Sequence, residues 1–146
     1  MEPPLIVMPA QRCAVVTGAN KGIGFHCVEQ LHAELDETYD VVLTSRSAER
    51  GQAAAEELRS AAPAGSERIV YRQCDIASEE SVDAFRSWIA AEYGGVDLLI
   101  NNAGFAYQVG RSYQLHCEIL TLELPGGAIN VLHTALNTIC SCRCRR

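Results

Sequence analysis

The amino-acid sequence predicts an α/β fold, a doubly wound parallel sheet of strand order 3-2-1-4 with helices on both faces. Three observations predict it. Short apolar runs alternate with longer runs of helical spacing through the first hundred residues. The short runs are almost continuously apolar, as strands buried on both faces must be. Two unusual loops, "TGANKGIG" and "NNAG", follow the first and fourth of these runs. In a doubly wound sheet, ligands bind just beyond the strand C-termini.

The elements follow in order β-α-β-α-β-α-β. "CAVVT" is the first buried strand. Ile23, Cys27, Val28, Leu31 and Leu35 share a 3.6-residue period, so a helix is expected over 22–35. "YDVVLTS" is the second strand, "AERGQAAAEELRSAA" an alanine-rich helix, and "PAGS" its stop. "RIVYRQ" is the third strand. Ser78 is a candidate N-cap, followed by Glu79 and Glu80 where a helix dipole favours negative charge. Val82, Phe85 and Ile89 mark that helix's apolar face, "YGG" ends it, and "VDLLIN" is the fourth strand. Right-handed crossovers put the first two helices on one face and the third on the other. Strands one and four become neighbours, and their loops are expected to meet.

The 146 residues suit one domain, 48% of them apolar and 21% charged. A net charge of −6 argues against nucleic acid or a membrane surface as partner. The charge is uneven. Residues 1–104 hold 8 basic and 16 acidic groups; residues 105–146 hold 4 basic and 2 acidic. Seven cysteines, an odd number, and an opening "MEPPLIVMPA" without a basic n-region point to reduced thiols and a cytoplasmic chain. Cys13, Cys27 and Cys74 are expected as small buried hydrophobes. No stretch approaches the length of a membrane span.

The first loop has the chemistry of a phosphate cradle. Gly18, Gly22 and Gly24, spaced G-x-x-x-G-x-G, permit a tight turn and close backbone approach to a pyrophosphate. The helix that follows offers free N–H groups and the positive end of its dipole. The second strand ends in "LTSRSAER", with no carboxylate at Thr44, Ser45 or Arg46. A ribose 2′-hydroxyl calls for an acid there, a 2′-phosphate for arginine. Arg46, Arg50 and Lys21 therefore favour NADP(H). Asp75, in "CDI", is placed to accept from an adenine amino group, with Ile76 against the ring.

"VVTGANKGIG", "VVLTSR", "CDI" and "VDLLINNAG" together resemble the short-chain dehydrogenase/reductase family. "TGANKGIGF", "VVLTSRSAERGQAA" and "EYGGVDLLINNAG" are similar to its NADPH-dependent carbonyl reductases. The resemblance spans 11–107, two thirds of the chain. It implies a Rossmann-type half-domain over 11–107, NADPH as cofactor, and ketones, aldehydes or quinones as substrates of a complete member. It assigns cofactor contacts to Gly18, Asn20, Lys21, Gly22, Ile23, Gly24, Arg46, Arg50, Asp75, Ile76, Asn101, Ala103 and Gly104. The motif matched by "NNAG" stabilises the family's central sheet and borders the nicotinamide ribose.

The resemblance also implies chemistry that these residues do not carry. The family uses a tyrosine with a lysine four residues on, and a serine on the fifth strand. The sole lysine is Lys21, so no Tyr-x-x-x-Lys exists. Tyr107 with Arg111 is the nearest imitation, but a guanidinium does not replace a compact ammonium. "GGAINVLH" resembles the fifth strand, with Leu132 and His133 where serine is usual. His133 reads as a surface or half-buried histidine rather than a general acid. Cys140, Cys142 and Cys144, spaced C-x-C-x-C, lack a fourth local ligand, and no metal is assigned. Residues 1–10 are expected as a lead and 108–146 as an atypical tail. Loss of pattern and change of charge at one place suggest a truncated or alternatively spliced form, or an erroneous gene model. Two functional expectations result: the cofactor half of a carbonyl reductase, or a catalytically inactive NADP(H)-binding or interaction form. A product without function is the third. Strand four is expected as an exposed apolar edge through Leu98, Leu99 and Ile100, open to association or to pairing with "EILTLEL".

Overall fold

The computed structural model describes residues 11–62, 64–109, 112–116 and 129–130, and the side chains of 11–62 and 64–104. The strands are β1 (Arg12–Val16), β2 (Tyr39–Ser45), β3 (Ile69–Gln73) and β4 (Leu98–Ile100). Between them lie α1 (Gly22–Glu34), α2 (Ala48–Ala61) and α3 (Glu79–Tyr93). Three short strands follow, β5 (Phe105–Val109), β6 (Ser112–His116) and β7 (Ile129–Asn130). The main sheet runs β3-β2-β1-β4-β7, and every pairing in it is parallel. The expected order 3-2-1-4 is present.

Consecutive strand residues point to opposite faces, and the core splits accordingly. Val16, Val41, Leu43, Ile69 and Ile100 face α1 and α2, which contribute Val28, Ala54 and Leu58. Cys13, Val15, Val42 and Leu99 face α3, which contributes Phe85 and Ile89. The third helix thus covers the second face, as its crossover requires. Ser47 caps α2 by accepting from the Arg50 N–H, and Ser78 caps α3 by accepting from the Ser81 N–H. Gly94, at φ +74°, ends α3 in a left-handed turn. At the end of the sheet away from the β1 and β4 loops, the Arg68 guanidinium donates to the carbonyls of His32, Asp36 and Tyr39 at 3.0–3.2 Å. It joins the exit of α1 to the entry of β2.

Two expectations are corrected. Strand four is not a bare edge: Leu98 and Leu99 pair with Ile129 and Asn130 of β7. The reason lies in the backbone. A central strand needs partners for its amide groups on both sides, and Ile129 and Asn130 of "GGAINVLH" supply them. Leu99 and Ile100 are buried, so the apolar surface proposed for association is covered. Part of the range expected as a tail therefore joins the sheet, and β5 pairs antiparallel with β6 in a separate two-stranded sheet. The segment "EILTLEL" lies outside the described residues. The second correction is on α1. Ile23, placed by periodicity on the core face, is 70% exposed. His32 is buried instead, its Nε2 2.8 Å from the Gly65 carbonyl oxygen.

The α3 face gives a direct test of this packing. Ile89→Ala removes a fully buried side chain from between α3 and the sheet. It should cost about 2–5 kcal/mol in urea unfolding, with α3 signals lost first in hydrogen exchange.

Candidate functional site

β1 and β4 lie side by side, with Val16 opposite Ile100, and the loops that leave them are joined by side chains. Thr17, the last polar residue of "CAVVT", is 1% exposed. Its Oγ1 accepts from the backbone N–H of Asn102 and of Ala103, each at 3.0 Å. The Thr17 N–H donates to the Ile100 carbonyl at 3.0 Å. Asn102 answers with its own amide: Nδ2 donates to the carbonyls of Thr17 at 3.1 Å and Gly18 at 3.0 Å. The two loops therefore meet, as the strand order implied.

Two glycines owe their identity to this junction. A Cβ on Gly18 would lie 2.7 Å from the Ala103 Cα, and Gly18 holds φ at +63°. A Cβ on Gly24 would lie 2.4 Å from Asn102 Nδ2. The first expectation placed a ligand's pyrophosphate against these glycines. The structure adds a nearer neighbour, the second loop itself. Gly22 also has positive φ, +62°, with open space around it.

The junction forms the floor of a cleft of about 490 Å³, within the usual range for a small-molecule site. Eleven expected residues line it: Gly18, Asn20, Lys21, Gly22, Ile23, Arg46, Arg50, Asp75, Ile76, Ala103 and Gly104. Gly24 and Asn101 do not. Gly24 is buried in the first turn of α1, and Asn101, the first residue of the second loop, is itself buried. Asn102, the next residue, faces the cleft in place of Asn101. Ser47, Cys74 and Ala77 also line it. Thr17 and Asn102 were the residues that sequence reasoning passed over. The available signal was a buried hydroxyl closing an apolar strand, which demands partners.

The charge pattern around the cleft is one-sided. Lys21, Arg46 and Arg50 are exposed on its rim. Among the described residues none of the three makes an ion pair. α1 begins there with Lys21 at the N-cap position, no side-chain cap and no acidic residue in its first turn. Its first N–H groups and dipole thus favour an anion. Asp75 stands on the far wall. Its Oδ1 accepts from the Ala77 N–H at 3.1 Å, and its own N–H donates to Ser81 Oγ at 2.9 Å. That fixes the carboxylate at the entry to α3. Of the catalytic candidates, Tyr107 falls within β5, whereas Arg111, His133 and the cysteines of the C-x-C-x-C run lie outside the described residues.

Burial controls the thiols. Desolvation, with Asp40 and Asp97 nearby, pushes Cys13 from 9.0 up to about 12. Desolvation, with Asp75 beside it, pushes Cys74 up to about 11. Neither is a nucleophile at neutral pH.

The matching family model is "short chain dehydrogenase", over residues 12–119. The chain belongs to the short-chain dehydrogenase family. Carbonyl reductase (NADPH) 1 of Bos taurus is 39% identical over 112 residues, which is 76% of this chain and 38% of that protein. Menthone neomenthol reductase from Mentha piperita superposes with a TM-score of 0.57 at 43% identity, over 65% of this chain and 32% of that one. L-sorbose reductase from Gluconobacter frateurii, complexed with NADPH and L-sorbose, gives 0.58 at 30% identity, over 70% of this chain and 36% of that one. The chain thus spans well under half the length of these relatives. No helix among the described residues is long and apolar enough to cross a membrane.

Two outcomes are expected. Thr17→Val keeps the shape but leaves the Asn102 and Ala103 N–H groups without their acceptor. It should lower unfolding free energy by about 1–3 kcal/mol in denaturant titration. The raised thiols give a pH dependence. Unfolded cysteine ionises near 9.0, and the folded thiols only near 11 and 12. Between those values the unfolded chain holds fewer protons, so stability present below pH 9 should fall as pH rises toward 11. At pH 8, mass spectrometry should find Cys13 and Cys74 alkylated only as fast as the chain unfolds.

Proposed function

We propose that this chain is the NADP(H)-binding half of a carbonyl-reductase-type short-chain dehydrogenase, with ketones, aldehydes or quinones as substrates of the complete enzyme. One observation carries the reading. A helix N-terminus without a side-chain cap and three cations that form no ion pair among the described residues border the same cleft. That arrangement suits a ligand with a pyrophosphate and a further phosphate on its ribose. The α1 amides and Lys21 hold the pyrophosphate. Arg46 and Arg50 hold the 2′-phosphate, Asp75 and Ile76 the adenine, and Ala103 and Gly104 border the nicotinamide ribose. Gly24 and Asn101 act from behind the wall, by keeping α1 and the second loop close. When bound, the nicotinamide supplies the hydride. The naming of NADPH in the descriptions of the Bos taurus and Gluconobacter frateurii proteins supports this choice of cofactor.

A second reading concerns residues 1–146 by themselves. Their one lysine belongs to the glycine loop, and no Tyr-x-x-x-Lys occurs. These residues then bind the dinucleotide without turning over a carbonyl. Cys13 and Cys74, buried as free thiols, agree with a reducing compartment and a cytoplasmic setting.

Fluorescence titration tests the first reading. The chain should bind NADPH more tightly than NADH. Arg46→Met with Arg50→Met should weaken NADPH binding tenfold or more, about the loss of one or two charge-assisted hydrogen bonds, and leave NADH almost unchanged. Equal affinities for the two dinucleotides in the wild-type chain would falsify it. Incubation with NADPH and menadione tests the second reading; consumption of NADPH faster than the protein-free control would end it.

A further inference from the structure

The turn between β2 and α2 carries the cations assigned above to the 2′-phosphate, and its backbone is tied down one carbonyl at a time. Thr44 O accepts from the Ala19 N–H at 2.8 Å, and Ser45 O from the Cys74 N–H at 3.1 Å. Ser47 O accepts from the Gly51 N–H at 3.0 Å. Those three bonds are backbone to backbone, and Ser47 O also accepts from Ser45 Oγ, at 2.5 Å. The remaining carbonyl, that of Arg46, accepts from a side chain: Gln73 Nε2, at 3.0 Å. Gln73 is the last residue of β3 and stands opposite Ser45 in the strand register. It is exposed, so it adds nothing to the core, and its amide reaches past the end of β2 to the next residue. The Arg46 guanidinium makes no ion pair among the described residues. The direction of that long side chain therefore depends on how its own peptide is held.

We propose that Gln73 is a positioning residue that sets the preference for a 2′-phosphate over a 2′-hydroxyl, by fixing the peptide from which Arg46 reaches the cleft. The inference rests on the function proposed above. Without the Gln73 bond, the peptide after Arg46 keeps its tied neighbours but loses the hydrogen bond that fixes its own orientation. A small rotation there moves a guanidinium several bonds away by a large distance, and the ordering of the arginine must then be offset at each binding event. The contact between Gln73 and Arg46 is to the main chain, so it steers the cation without neutralising it.

The test uses the full 146-residue chain and two probes, 2′,5′-ADP and 5′-AMP, with affinities from titration calorimetry. Gln73→Met keeps the length of the side chain and removes the donor. The ratio of the two affinities should fall about three- to tenfold, the scale of one hydrogen bond, while 5′-AMP affinity stays as in the wild type. In an Arg46→Met background, Gln73→Met should leave the ratio unchanged, because the cation it directs is gone. Gln73→Asn, one methylene too short to reach, should reproduce the Met result and serves if the Met variant does not fold. A role in stability alone would weaken both probes together, and that result overturns the inference. So does a ratio that survives in Q73M, or one that falls equally in both backgrounds. Equal affinities in the wild-type chain would overturn the proposed function and this inference with it; a wild-type preference indifferent to Gln73 overturns this inference alone.

Discussion

One buried hydroxyl organises the site. Thr17 directly follows β1, whose last four residues, Cys13 to Val16, are apolar and buried, and its oxygen takes the N–H groups of two residues from a loop more than eighty positions away. Burying a hydroxyl without partners is costly, and burying two backbone amides without an acceptor is costlier still. Each therefore needs the other. Asn102 closes the exchange by returning two hydrogen bonds to the carbonyls of Thr17 and Gly18. The outcome is a rigid floor made from two loops that the strand order alone would only bring near each other.

The small residues around that floor follow from it. Gly18 faces Ala103, and Gly24 faces the Asn102 amide, at separations that no Cβ tolerates. A glycine pattern usually credited to phosphate binding is thus fixed in part by contact within the protein. The charged residues answer a different demand. Lys21, Arg46 and Arg50 stand on the rim in solvent, while acidic groups predominate over the remainder of 1–104. A local positive field on an acidic chain draws anions to one place.

Much of this was legible in the sequence because its physics is local or periodic. Val28, Leu58, Phe85 and Ile89 fall on buried faces because helical spacing puts them there. Ser78 and Gly94 mark the two ends of α3 through their own backbone chemistry. Ile23 escaped this logic: it shares the period of α1 but lies in the first turn, beyond the sheet, where the same face opens onto the cleft. His32 escaped it too, since its place in the core depends on a carbonyl 33 residues away at Gly65. Asn101 and Asn102 are one motif to the eye, yet successive residues of an extended segment point in opposite directions, and only the pairing with Thr17 decides which faces the cleft. The cover on β4 depended on a two-residue strand whose partner is thirty-one positions away, from Leu98 to Ile129, a distance over which local pattern is silent.

The unadorned start of α1 has a thermodynamic corollary. α2 and α3 carry their own serine caps, each of which accepts from one N–H of the opening turn in the free chain. The opening turn of α1 has no such cap, so under the proposed function an anion bound there would couple occupancy to folding. Under the function proposed above, the melting temperature would rise with dinucleotide supply, and a cell rich in the ligand would hold more of the chain intact than a depleted one at the same rate of synthesis.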